Sequence, residues 1–167
     1  MDRQLSLAQA ESFEKYRKAT RRSAFLYGME SLVPWKKLCD RVAPFYPAGE
    51  RGRPPRNLEQ MIRIYLLQDW FSLNSREAEE ILYENRAMRE FARIDLWKEP
   101  VPEESTLRNF SRLLKKKKVD GEIIAAVTIS LNDRGVKLTR GTIREPSLAK
   151  LPSGPKKIKE PSVWDGV

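Results

Sequence analysis

The chain has 167 residues, 40% hydrophobic and 9% aromatic, which is enough apolar material for one packed domain and too much for wholesale disorder. Lys and Arg number 32 against 23 acids, and the resulting net charge of +9 favours a polyanionic partner, nucleic acid before membrane. With no histidine and one cysteine, Cys39, the sequence excludes His-based triads, His-ligated zinc, an internal disulfide and Cys-rich metal sites. No apolar run approaches the roughly 20 residues that span a bilayer. The opening MDRQLSLAQAESFEKYRK puts charges where a signal peptide needs an apolar stretch. A cytoplasmic chain with no membrane partner is expected.

Taken in order, Ala24 to Val33 and Trp35 to Phe45 read as two helices, the second opened by Pro34 at its first turn. Pro54 and Pro55 hold the next stretch extended. Asn57 and Gln60 are then spaced as a capping box for a helix on which Leu58, Met61, Ile62, Tyr65, Leu66 and Leu73 form one apolar stripe. Ile64, Leu67 and Phe71 add a second stripe, and a helix apolar over most of its circumference belongs at the centre of a bundle. Asn74 with Glu77 marks another helix to about Tyr83, and Arg86 to Ile94 a short one. After a loop enforced by Pro100 and Pro102, Ser105 or Thr106 can cap a helix with apolar positions Leu107, Phe110, Leu113 and Leu114. A last helix follows Lys115 to Lys118, with Val119 and Ile124 as a hydrophobic staple around Asp120 and Gly135 at its C-terminus. Val136 to Ile143 suits one short strand, and Lys150 to Gly166 lacks any period and reads as a disordered tail. The expected fold class is all-α: a multi-helix bundle with a helix-turn-helix-like element, one short C-terminal strand at most, and a disordered tail. The expected division is a helical domain over 1–139 and a short strand with basic tail over 140–167.

Charge is uneven: residues 1–60 carry 12 bases and 7 acids, residues 61–139 carry 14 and 13, and residues 140–167 carry 6 and 3. In ERGRPPRN, Arg51, Arg53 and Arg56 flank a Pro-Pro pair, and arginines in an extended segment beside glycine suit a phosphate backbone or a minor groove. In STLRNFSRLLKKKK, Leu107, Phe110 and Leu114 face the body and leave Arg108, Asn109, Arg112 and Lys115 towards solvent. Arg pairs bidentately with guanine and Asn with adenine, so this face suits a major groove, with Lys115, Lys116, Lys117 and Lys118 on phosphates. The alternative is an exposed charged face whose lysines only complement the helix C-terminal dipole. The interval from Tyr83 is too long for a tight helix-turn-helix. No catalytic, cofactor or metal residue emerges: the carboxylates are scattered through helical patterns, the 8 glycines never cluster, and no histidine is present to activate a hydroxyl. Trp35, Trp70 and Trp97 lie in apolar stripes and read as core.

The segment RGRPPRNLEQMIRIYLLQDWFSLNSREAEEILYENRAMREFARIDL, followed by VPEESTLRNFSRLL and RGVKLTRGTI, resembles the N-terminal region of InsH-type insertion-sequence transposases of bacteria. The shared features are Gly52 to Pro55, Met61 to Trp70, Leu82 with Tyr83, Phe91 to Leu96 and Pro102 to Leu107, with Leu32 to Trp35 and Tyr46-Pro47 upstream. The resemblance implies a helical domain that binds double-stranded DNA at terminal inverted repeats, with full-length transposase or the chain itself as further partners. In the complete family that domain precedes a ribonuclease-H-like domain whose Asp-Asp-Glu triad binds two divalent metals. Here Gly141-Thr142-Ile143 is followed by Arg144, Glu145 and Pro146 where the first catalytic Asp belongs, so a truncated, catalytically inactive transposase without cofactor is expected. A frameshift near Ile143 accounts for the tail in this reading. A helical module that binds RNA or an acidic protein is the alternative.

Overall fold

The computed structural model describes residues 18–49, 52–140 and 146–150. Helix α1 spans Arg21–Leu32, α2 Trp35–Val42, α3 Leu58–Phe71, α4 Ser75–Glu84, α5 Arg86–Phe91, α6 Glu104–Lys116 and α7 Asp120–Asp133; a 3-10 turn at Ala43–Phe45 follows α2. Strands β1, Val136–Arg140, and β2, Pro146–Lys150, close the described chain.

The doubly apolar helix lies where the sequence puts it. Met61, Ile62, Ile64, Leu66, Leu67, Trp70 and Phe71 of α3 are all buried, and α2, α4 and α6 pack around it. Asn57 accepts the Gln60 N–H at 3.1 Å and satisfies a donor that the first turn leaves open. The Gln60 side chain does not complete the box; it donates instead to Glu99 Oε1 at 2.8 Å. From α1, Phe25 meets Trp70 and Phe71 edge-on, with centroids 5.4 and 5.9 Å apart, and Trp35 meets Phe91 at 5.6 Å. These edge-to-face contacts suit the aromatic quadrupole and fix how α1 lies on α3 and α5 on α2.

One cation sits inside this apolar frame. The Arg63 side chain is fully buried on α3. Its guanidinium donates to Glu30 Oε1 at 2.9 Å, Glu59 Oε1 at 2.9 Å and the Phe91 carbonyl at 3.0 Å, and lies 3.9 Å from the Trp35 ring centroid. A buried guanidinium is tolerable only when its fork is filled in this way. The hydrogen bond from Arg63 holds the Glu30 carboxyl below its ordinary range, opposed by partial burial and assisted by Arg93.

Several boundaries move for local reasons. Pro34 is the N-cap residue of α2, and α6 starts at Glu104, its first N–H donating to Glu79 Oε2 of α4 at 2.7 Å, so neither Ser105 nor Thr106 caps it. Val119, not Asp120, precedes α7, whereas Gly135 adopts φ +67° at the end of that helix as expected. Asn74 and Glu77 form both halves of the α4 capping box.

The C-terminal element is a two-stranded antiparallel hairpin instead of a single strand, with Val136 opposite Lys150, Leu138 opposite Leu148 and Arg140 opposite Pro146. Pro146 heads β2, a position where a missing N–H is tolerated. β1 packs on α7 and β2 on α1, and the predicted 139/140 boundary falls inside β1. Leu148 reaches α1 at Gly28, where a Cβ would stand 3.1 Å from its Cδ1. The expected tail from 151 onward lies outside the described residues.

Candidate nucleic-acid interface

Helical geometry sorts α6 into two faces. Successive residues turn by about 100°, so Leu107, Phe110 and Leu114 share one side, and all three are buried. Phe110 packs edge-on against Tyr46 and Tyr65, at 5.9 and 6.5 Å. The opposite side carries Ser105, Arg108, Asn109, Arg112, Lys115 and Lys116, all exposed, with Arg112 near its middle. Beyond Glu104 no acid interrupts the sequence until Asp120, and six cations fall in that interval.

The freedom of these groups differs. Arg108 donates to Glu104 Oε1 at 3.0 Å, an exposed i,i+4 pair worth about 0.3–0.5 kcal/mol, which a base edge or phosphate displaces easily. Among the described residues, Arg112, Lys115, Lys116 and Lys118 have no ion-pair partner. Lys118 turns the chain out of α6 with φ +57°, and Lys117 places its ammonium 5.4 Å from the Phe45 ring centroid.

The Gly52–Arg56 segment is a loop tied at its base, not a free extended arm. Gly49, at φ +77°, lies so close to Pro55 that a Cβ there would stand 2.6 Å from the proline Cδ. Tyr46 donates its hydroxyl to the Arg56 carbonyl at 2.8 Å, and burial pushes that phenol above its ordinary range. Arg53 is exposed beside Gly52, which takes φ +88°. Arg56 is half-buried and held by Glu99 at 2.9 Å, so its guanidinium serves the fold before any ligand. Arg51 lies outside the described residues.

These contacts form a seam beside α6. Lys117 rests on Phe45, Tyr46 packs on Phe110 and grips Arg56, and Arg56 and Gln60 both hold Glu99. The loop that contains Glu99 turns on Asp95, whose Oδ1 accepts the Trp97 N–H at 3.1 Å and whose carbonyl accepts from Lys98 and Glu99 at 2.9 and 3.0 Å. Trp97 is therefore not core: its surface is 98% exposed, with half-exposed Leu96 beside it. Trp70 is buried and Trp35 half-buried, as their stripes predict.

A short helix–turn–helix connection of two long helices also lies elsewhere in the bundle. Ser72, at φ +53°, Leu73 and Asn74 join α3 to α4 in three residues. Yet α4 carries Glu77, Glu79, Glu80 and Glu84 against Arg76 alone, a helix that phosphates repel. Among the described residues, no group of three or more acids, cysteines or histidines is placed to hold a metal, and no helix is long and apolar enough to cross a membrane. Cys39 is half-buried and its thiol is pushed up by burial, which is unfavourable to nucleophilic use.

No solved structure matches the chain. The family model described as Transposase domain (DUF772) matches residues 13–113, more than half of the sequence, and the chain belongs to that family.

Proposed function

We propose that this chain grips duplex DNA at the terminal inverted repeats of an insertion sequence, with α6 as the reading element, and cuts no strand itself. One observation carries the reading: the outward face of α6 aligns Arg108, Asn109, Arg112, Lys115 and Lys116 on a rigid helix about 20 Å long, free of acids beyond its first turn. Arg108, Asn109 and Arg112 have the donor and acceptor geometry for base edges, while Lys115 to Lys118 and Arg53 neutralise phosphates. Arg51 belongs to the same set by sequence, and Arg56 acts behind it by fixing the loop to Glu99. The inactive reading rests on the sequence: Gly141-Thr142-Ile143 is followed by Arg144, Glu145 and Pro146, where the transposases it resembles carry the first catalytic Asp. Such a chain would compete with intact transposase for the same repeats.

The test is a titration of the 167-residue chain against the inverted repeat of the neighbouring element, random duplex of equal length, and RNA. Preference for the repeat, with no strand scission in magnesium or manganese, is the expected result. Equal binding to all three removes the sequence-reading role, RNA preference favours an RNA-interaction module, and metal-dependent cleavage overturns the inactive assignment.

A further inference from the structure

The most solvent-exposed large apolar side chain among those described is not on α6. Trp97 stands 98% exposed and Leu96 43% exposed at the tip of the Asp95–Glu99 loop. An indole left wholly in water gives up burial worth a few kcal/mol, so its position invites a partner. The loop is not slack, because Asp95 caps three of its N–H groups, and Glu99 is held by Arg56 and Gln60.

Two considerations select the partner. One is area: Trp97 and Leu96 together offer on the order of 200–300 Å², far short of the roughly 800 Å² per side of a stable protein interface but matched to one base step. The exposed neighbours on loop and arm, Arg53, Pro54, Pro55, Lys98 and Pro100, do not extend the patch with further large hydrophobics. The other is charge and continuity. Glu99 ties the loop to Arg56, Arg56 to Tyr46, and Tyr46 to Phe110 on the inner face of α6, so the loop that carries the indole is joined to the basic helix through direct contacts. Asp95 and Glu99, the loop's own carboxylates, are already engaged by Lys98 at 3.3 Å and Arg56 at 2.9 Å, while Arg53 is exposed on the adjoining loop. A flat π surface beside phosphate-seeking cations is the chemistry that receives a nucleobase.

We infer that Trp97 is a base-stacking wedge, which inserts with Leu96 at an opened or terminal base step of the duplex that α6 holds. The inference rests on the DNA-binding reading above and adds an interaction that α6 does not supply. Aromatic wedges of this kind unstack a step and read its deformability instead of its hydrogen-bond edge, so the preferred step is a flexible one, such as TA or CA.

The experiment uses the full chain with duplexes that carry 2-aminopurine at successive positions, and compares wild type with Trp97→Ala and Trp97→Phe. Because the side chain touches solvent alone, both variants should keep the wild-type circular dichroism. Wild type is expected to change the 2-aminopurine emission at one position; Trp97→Ala should abolish that change and weaken binding by on the order of 10-fold, without altering the salt slope, since the indole neutralises no phosphate. Trp97→Phe should restore most of the affinity. If Trp97→Ala binds and perturbs the probe as wild type does, the wedge is wrong while DNA binding stands. If the substitution instead abolishes self-association in sedimentation and leaves DNA affinity intact, the patch belongs to a second copy and the wedge is again wrong. If wild type binds no duplex at low salt, both this inference and the reading beneath it fall.

Discussion

Arg63→Ala is expected to be among the most damaging single substitutions in the domain. The guanidinium is 0% exposed and holds Glu30 of α1, Glu59 of α3 and the carbonyl of Phe91 on α5, while its flat face covers Trp35 of α2. Breaking a buried pair by removing one member costs about 3–5 kcal/mol. Glu30 and Glu59 keep 40% and 31% of their side-chain surface in water, so they recover some hydration, which pulls the electrostatic part towards the lower figure. Against that, the Phe91 carbonyl loses a partner worth about 1 kcal/mol, and the stacking on Trp35 is worth ~1–2 kcal/mol when desolvated. An overall loss of about 5 kcal/mol follows, a large fraction of the 5–15 kcal/mol typical of a domain. With a urea m-value of about 2 kcal/mol/M, the unfolding midpoint falls by about 2.5 M. Arg63→Met fills the space without the charge and should recover about half of that loss. Urea melts followed by far-ultraviolet circular dichroism measure both variants. A midpoint for Arg63→Ala within about 0.3 M of wild type would falsify the account of this cation as the tie between four helices.

Acid should act through the same cluster. Glu30 is held below its ordinary range, so its contribution is complete above the unfolded value of about 4.3 and is lost as pH falls through the lower folded value. Urea midpoints should therefore drop below about pH 4.5, and Glu30→Gln should flatten that drop; an unchanged acid slope contradicts it. Asn74→Ala removes the α4 cap and should lower stability by about 1 kcal/mol, a fall of roughly 2–4 °C in Tm by calorimetry. In DNA titrations, Arg108→Ala should weaken binding to the inverted repeat by roughly 1–3 kcal/mol and random duplex much less; equal loss on both would make Arg108 a phosphate ligand. Replacing Lys115, Lys116, Lys117 and Lys118 with Gln should lower the slope of log affinity against log salt by roughly 0.9 for each phosphate no longer neutralised, on every sequence.

Much of the fold is written in local pattern. The two stripes of α3, the Asn74–Glu77 box and the left-handed Gly135 are short-range devices, and each forms where the residues ask for it. The α6 faces are legible for the same reason, since three apolar positions in helical register dictate which side looks outward. What escapes a reading of the sequence depends on distant partners. Glu79 supplies the acceptor for the start of α6, so the hydroxyls at 105 and 106 are the wrong candidates. Trp97 reads as core because it follows Ile94 and Leu96, yet Asp95 bends the chain and turns the indole out. Arg56 reads as a groove cation until Glu99, 43 residues away, is seen to hold it. A signal for Arg63 does exist: an arginine inside a helix apolar on every side must be either misplaced or internally paired. The second strand is hidden because Pro146 argues against a ladder only when it is not at the ladder's first rung.

The acidic α4 lies directly against the basic α6 and even lends a carboxylate to its first turn. A polyanionic rod drawn to such a pair feels a pull and a push a helix-width apart, and only a narrow range of rotational settings satisfies both. Attraction alone would let a duplex settle at any angle; the repelling neighbour turns it into a compass. On the proposed reading, in which α6 grips the ends of a mobile element, heading matters as much as grip.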